Sequence, residues 1–185
     1  MKIDYEFIDK KVFFEFFEAH RSDIFEADFD FRIRDILSDE EKVKIRENWQ
    51  QFIRPKGYYL VAKSGDKIVG WSFGMQKSQE DFYMVNSAVF PEYRQQGIYT
   101  IMMQKGVEKA TEMGFQRIFS RHKMSNNAIL ISKLKFGFVV TGFEVVPRFG
   151  TMILLSYYPN KRRRKLLEIR IGSRKPDEED MKLIS

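Results

Sequence analysis

The sequence predicts a mixed α/β domain, a sheet of about seven strands with helices on its faces. Three observations lead there. The 185 residues are one domain's length of chain, enough to bury roughly 70% of the unfolded surface around a single core. With 43% hydrophobic and 15% aromatic residues the apolar mass for that core is present, yet it never runs unbroken for about 18 residues as a membrane-spanning helix would. The apolar pattern also switches between strand and helix periods in a fixed order: strand, two helices, three strands, helix, strand, helix, two strands. An antiparallel meander feeding alternating strand and helix units builds a mixed sheet with helices packed on it.

Taken in order, Lys2 to Ile8 alternate as a strand does, and Asp9 precedes Val12, Phe13, Phe16 and Phe17 at helical spacing. Ser38-Asp39-Glu40-Glu41 places a hydroxyl and a carboxylate where they can satisfy each other's unpaired donors at a helix start. The stripe Ile45, Trp49, Phe52 and Ile53 continues that helix until Arg54-Pro55 and Lys56-Gly57 stop it. Tyr58 to Lys63 and Lys67 to Met75 are β-rich runs joined by Ser64-Gly65-Asp66, a hairpin. Phe82 to Phe90 is a third such run, closed by Pro91, which has no N–H for a ladder. A helix follows from about Gly97 to Met113 on Ile98, Ile101, Met102, Val107 and Ala110, with Gly114 as its cap. Phe115 to Ser120 reads as a short strand, and Ser125-Asn126-Asn127 offers caps to a helix through Leu134 that Gly137 ends. Thr141 to Val146 and Thr151 to Tyr158 are two further strands joined by Pro147-Arg148-Phe149-Gly150.

Composition narrows the function. The absence of cysteine removes disulfides, thiolate zinc sites and a cysteine nucleophile, and two histidines, His20 and His122, argue against a histidine-rich metal centre. The opening MKIDYEFIDKK lacks the apolar core of an export signal, so a cytoplasmic location is expected. The net charge of +6 is uneven: residues 161–175 hold eight basic residues and one acid, which leaves the remainder nearly neutral. That distribution is not the footprint of a nucleic-acid-binding fold, and neither a nucleic acid nor a membrane is expected as partner. The chain divides into a domain over 1–160 and a basic helix with an acidic tail over 161–185. Leu166, Leu167 and Ile169 give that helix an apolar side, for the body or for a second copy of the chain, which leaves a homodimer open.

Chemistry concentrates in Val89-Phe90-Pro91-Glu92-Tyr93-Arg94-Gln95-Gln96-Gly97-Ile98-Tyr99, between a strand and a helix. The first turn of a helix presents unpaired N–H groups and positive partial charge, and a glycine such as Gly97 lets a phosphate approach the backbone. One glycine there is equally a tight connection and nothing more. A second stretch adds to it: Asn126, then Gly137-Phe138 eleven and twelve positions later, with Ala128, Ile129, Leu130, Ile131 and Leu134 apolar between. Together the two stretches resemble the GNAT superfamily of acyl-CoA N-acyltransferases, whose pattern runs strand, V-x-P-x-x-[RQ]-x-x-G-x-[GA], helix, strand, N-x-x-A-x-x-x-Y-x-x-x-G-F. The resemblance covers residues 58 to 146 by motif and the flanks by element order.

What the resemblance implies is a GNAT fold, mostly antiparallel, whose sheet splays between the fourth and fifth strands. The pantetheine arm of acetyl-CoA, the co-substrate, lies in that opening against the fourth strand, where Ser87, Ala88 and Val89 match. The diphosphate loop maps onto Gln95, Gln96, Gly97, Ile98, Tyr99 and Thr100. The asparagine that contacts the cofactor maps onto Asn126, with Asn127 next in line and plain helix capping as the alternative role. The implied activity is N-acetyl transfer from acetyl-CoA directly to a primary amine of a small molecule or peptide, without a metal.

Two departures stand out. Tyr99 occupies the last small position of the loop, where only its N–H is required. More serious, the tyrosine that protonates the leaving thiolate in many members falls on Lys133, and the glutamate that serves some as base falls on Arg121, which cannot be a base. Lys133 could donate if desolvation lowered its pKa, or it is a solvated helix face. His122 titrates in the useful range, while strand alternation sets it opposite to its neighbour Arg121. Tyr83 and Asn86 could orient the amine or a water. The catalytic candidates are therefore Lys133, His122 and Tyr83, and a non-catalytic acyl-CoA-binding or regulatory module is the second reading. For the acceptor, Asp23, Glu26, Asp28, Asp30 and Asp35 against Arg32 and Arg34 give a local charge of −3 among Phe25, Phe29, Phe31 and Ile33. Carboxylates beside aromatic faces suit a cationic amine, although a solvated loop pinned by phenylalanines has the same composition.

Overall fold

A computed structural model describes residues 2–25, 38–50 and 55–184. The alternating runs become seven strands: β1 (Asp4–Phe7), β2 (Gly57–Ser64), β3 (Lys67–Gln76), β4 (Asp81–Val89), β5 (Arg117–Lys123), β6 (Val139–Val146) and β7 (Gly150–Tyr157). The helical runs become α1 (Lys10–Ile24), α2 (Asp39–Gln50), α3 (Ile98–Glu112), α4 (Asn127–Phe136), α5 (Lys161–Arg170) and α6 (Glu178–Ile184). One sheet holds the strands in the order β1-β2-β3-β4-β5-β7-β6, antiparallel at every step except β4 to β5. This is the mixed α/β architecture the sequence predicts.

Local chemistry sets the element ends. Asp9 caps α1 by accepting from the Lys11 N–H at 2.7 Å. Ser38 and Glu41 cap α2 reciprocally, the Ser38 N–H donating to Glu41 Oε2 at 2.8 Å and the Glu41 N–H to Ser38 Oγ at 3.2 Å. The expected α2 stripe, the side chains of Ile45 and Trp49 with Phe52 and Ile53, lies outside the described residues, as does most of the acidic and aromatic stretch, 26–37. The fifth strand differs from expectation, running Arg117–Lys123 rather than Phe115–Ser120. Phe115 is drawn into the core, and its N–H returns to the Ala110 carbonyl at 3.2 Å, so the chain closes α3 before it extends. The shift brings Arg121 and His122 onto the strand, paired with Leu154 and Ile153 of β7.

Alternation divides the apolar residues between two faces. On one, Tyr58, Leu60, Phe82, Ile118 and Leu155 meet Ile98, Met102, Met103, Val107 and Ala110 of α3. On the other, Val61, Trp71, Phe73 and Ala88 meet Phe13, Phe14, Phe16 and Phe17 of α1. The basic helix α5 is seated on this body, with Leu166, Leu167 and Ile169 half-buried. Arg163 reaches Glu80 at 2.8 Å, and Arg164 donates to the Gly137 carbonyl at 2.5 Å. Among the described residues no helix is long and apolar enough to cross a membrane.

Helix α3 can lie close on the sheet because Gly106 has no side chain. A Cβ there would stand 2.4 Å from the Tyr58 hydroxyl oxygen and 2.7 Å from its Cζ. Tyr58 is buried and its hydroxyl sits 3.0 Å from Ser72 Oγ, so the ring cannot move aside without breaking a buried hydrogen bond. Gly106→Ala is expected to destabilise by about 1–3 kcal/mol in spite of alanine's better helix propensity. A lower denaturant midpoint with an unchanged slope would show it.

Candidate active site

Strands β4 and β5 pair over only three residues each, Asp81–Tyr83 with Arg117–Phe119, and then part. The closed end is held by Arg117, which binds both Asp81 carboxylate oxygens at 2.7 and 3.0 Å. One step further, the Tyr83 and Phe119 rings stack with centroids 5.0 Å apart. Beyond that the inner edge of β4 faces an opening. The Phe90 N–H donates to the Val69 carbonyl of β3 at 3.0 Å, so alternation turns the backbone of Ala88 toward β3 and that of Ser87 and Val89 toward the opening. Of the three expected contact residues, Ser87 and Val89 thus offer backbone groups, although the Val89 carbonyl already accepts from Arg94 Nε at 3.1 Å.

Past β4, Pro91–Tyr93 form one 3-10 turn, and then Gln95 and Gly97 take left-handed backbone with φ +61 and +76. Such residues turn successive N–H groups to one side, making a concavity for an anion. Helix α3 has no side-chain cap, and the Ile101 N–H donates to the Gly97 carbonyl, so the N–H groups of Ile98, Tyr99 and Thr100 lack helical partners. A Cβ on Gly97 would meet nothing within 4 Å. The glycine therefore serves its φ and the free space before the loop, and the site fits a diphosphate.

Where the strands part, α4 supplies Lys133. It is 2% exposed, its Nζ donates to Met84 Sδ at 3.5 Å and lies 4.2 Å from the Phe138 ring centroid. Met84 is the first β4 residue with no β5 partner, which puts the amine at the apex of the opening. No carboxylate offsets the charge among the described residues, and burial pulls the Lys133 pKa down to about 7. The solvated-face reading of Lys133 is corrected. His122 shares the α3 face, its Nε2 3.0 Å from Ser120 Oγ. Burial first, and the neighbouring Lys133 charge second, hold its pKa down to about 3. The imidazole stays neutral across the physiological range, which corrects the expectation that His122 titrates there.

The family model for the acetyltransferase (GNAT) family matches residues 16–138. The chain belongs to that family. Solved structures agree in fold. An N-acetyltransferase from Staphylococcus aureus Mu50 is 15% identical with a TM-score of 0.63, over 85% of this chain and 99% of that one. The ribosomal-protein-S18-alanine N-acetyltransferase from Escherichia coli is 13% identical with a TM-score of 0.59, over 85% and 94%. A Bacillus subtilis acetyltransferase solved in complex with CoA is 17% identical with a TM-score of 0.57, over 86% and 100%. No curated protein matches.

In this GNAT chain the Tyr99 side chain packs against the α3-face core, leaving its N–H at the loop, so the bulky residue does not fill the anion site. Asn126 caps α4, its Oδ1 accepting from the Ile129 N–H at 3.4 Å, and Asn127 is the first helical residue. Asn86 accepts from Trp71 Nε1 at 2.8 Å. On the α1 face the Arg121 guanidinium lies 4.7 Å from the Tyr83 ring centroid, and its Nη1 is 3.1 and 3.0 Å from the two Glu144 carboxylate oxygens. Tyr83 is therefore a stacked platform at the apex, in contact with the Phe119 ring and the Arg121 guanidinium. Glu144 is the residue that sequence reasoning did not find. Its only signal was strand register: it pairs with Met152 of β7, two residues from the Leu154 that pairs with Arg121.

Proposed function

We propose that this protein is an acetyl-CoA-dependent N-acetyltransferase that moves the acetyl group directly to a primary amine of a small molecule or peptide. The observation that carries the reading is the buried Lys133 amine at the apex of the strand opening, with no carboxylate beside it among the described residues. A buried amine without an anion is costly to the fold, and such groups concentrate where chemistry uses them. CoA in the Bacillus subtilis relative supports the same ligand here.

The backbone of residues 95–100 would hold the diphosphate, Ser87 and Val89 the amide-bearing arm, and Asn126 a further contact. Acetyl-CoA supplies the activated acyl group. Lys133 Nζ, poised near neutrality, gives its proton to the leaving thiolate. Neutral His122 flanks it without carrying charge of its own. On the other face Tyr83, Arg121 and Glu144 meet the incoming amine, whose alignment can account for about 7–11 kcal/mol of the barrier.

The test is turnover. Purified protein is given acetyl-CoA with a panel of small cationic amines and short peptides bearing free N-termini, and thiol release is followed beside calorimetric CoA binding. Amine-dependent release of many equivalents per chain is expected. Tight CoA binding with no such release on any amine would favour the non-catalytic module instead.

A further inference from the structure

We propose that Lys133 is itself an acetylation site: with no acceptor amine present, its Nζ takes the acetyl group of acetyl-CoA. The inference rests on the acetyl-CoA reading above and adds a modification that silences the site.

Three observations carry it. Nζ meets a thioether and an aromatic ring, and among the described residues no carboxylate stands beside it to hold it in the unreactive ammonium form. It lies where β4 leaves β5, at the apex of the opening in which the thioester would lie, rather than on the solvent side of α4. Arg121 and Glu144 stand on the opposite face of β5, so the acceptor and the lysine approach from different sides and neither needs the other's space. Met84, which touches Nζ, is unbranched and can swing aside.

The step balances without another reagent. The Nζ lone pair forms a bond to the carbonyl carbon, the carbon–sulfur bond breaks with its electron pair going to sulfur, and the proton lost from nitrogen ends on the thiol. The products are an acetylated Lys133 and free CoA. An amide nitrogen neither donates a proton to thiolate nor reacts again, so each chain is modified once and then lacks its proton donor. Bound acceptor competes with this event, and its absence commits the chain to it.

Full-length protein is incubated with acetyl-CoA alone, and tryptic peptides are followed by mass spectrometry while CoA binding is measured on the same sample. Acetylated Lys133 resists trypsin and appears in the uncut peptide 124–135, while acetylation of exposed Lys135, the internal reference, appears in the uncut peptide 134–148. Modification of Lys133 is expected to approach one per chain, to saturate with acetyl-CoA, and to outrun Lys135 by about a hundredfold, as a held reactant should. Lys133→Arg, which cannot be modified in this way, should show only the slow background. Binding of CoA with Lys133 unmodified, or modified no faster than Lys135, would overturn the inference and leave the transferase reading standing. Failure of CoA to bind at all would remove both.

Discussion

Replacing Gly97 with glutamate is expected to weaken CoA binding by at least about a hundredfold while the protein stays folded. The body tolerates the side chain, since a Cβ at this position has nothing within 4 Å. Its φ of +76 costs a non-glycine residue about 1–2 kcal/mol, and Gln95 two residues earlier already sustains φ +61. The loss is electrostatic. A carboxylate placed before the free N–H groups of Ile98, Tyr99 and Thr100 occupies the donors the phosphates need and repels the phosphates themselves. Gly97→Ala separates the two causes: it carries the same backbone strain without the charge and should retain most of the affinity. Calorimetry with a thermal melt of each variant decides it, and full affinity in Gly97→Glu would show that the diphosphate is held elsewhere.

Lys133→Met is expected to move activity and stability in opposite directions. Removing the proton donor should lower turnover by about 10²–10⁴-fold. The same change should stabilise the fold at neutral pH by on the order of a few kcal/mol, because a buried ammonium is exchanged for a side chain at home in that environment. The sign follows from proton binding. Burial lowers the Lys133 pKa from its ordinary 10.5 to about 7, so between those values the unfolded chain binds the extra proton. Stability of the parent therefore rises with pH across that window, and the penalty is complete below it. The advantage of Lys133→Met should be greatest at pH 7 and below and should fade as pH approaches 10.5. Turnover of the parent should fall as pH climbs above about 7 and the donor empties, a limb that Lys133→Met lacks. Denaturant midpoints and kcat measured over the same pH series test both halves. A variant that loses stability at neutral pH would overturn the buried-charge account, and one that keeps the limb would take Lys133 out of the reaction.

Features written in short-range chemistry were legible before any coordinates. The Ser38 and Glu41 cap, Gly97 opening α3, and Asn126 and Gly137 bracketing α4 each depend on residues within one turn of one another. So did the family, because its two motifs are such local signals. What escaped depends on placement across the fold. The resemblance singled out Lys133 but not its burial: only the docking of α4 over the parting strands buries it while Lys135 stays in water. The start of β5 moved because Phe115 finds more apolar contact than extended pairing would give it. Glu144 reaches Arg121 through the register of β6 and β7, which alternation alone cannot fix to a single offset.

The seat of α5 bears on how the molecule is to be shortened. Arg164 closes the last carbonyl beyond α4, at Gly137, from twenty-seven positions along the chain. Trimming the polypeptide back to residue 160 would remove that donor, while the Lys133 and Leu134 carbonyls keep the Gly137 and Phe138 N–H groups, so the end of the helix that aims Lys133 would loosen without melting. The cationic extension then behaves as scaffolding, and a trimmed protein that keeps its melting point yet loses its rate would report a misaimed side chain rather than a missing nucleic-acid contact.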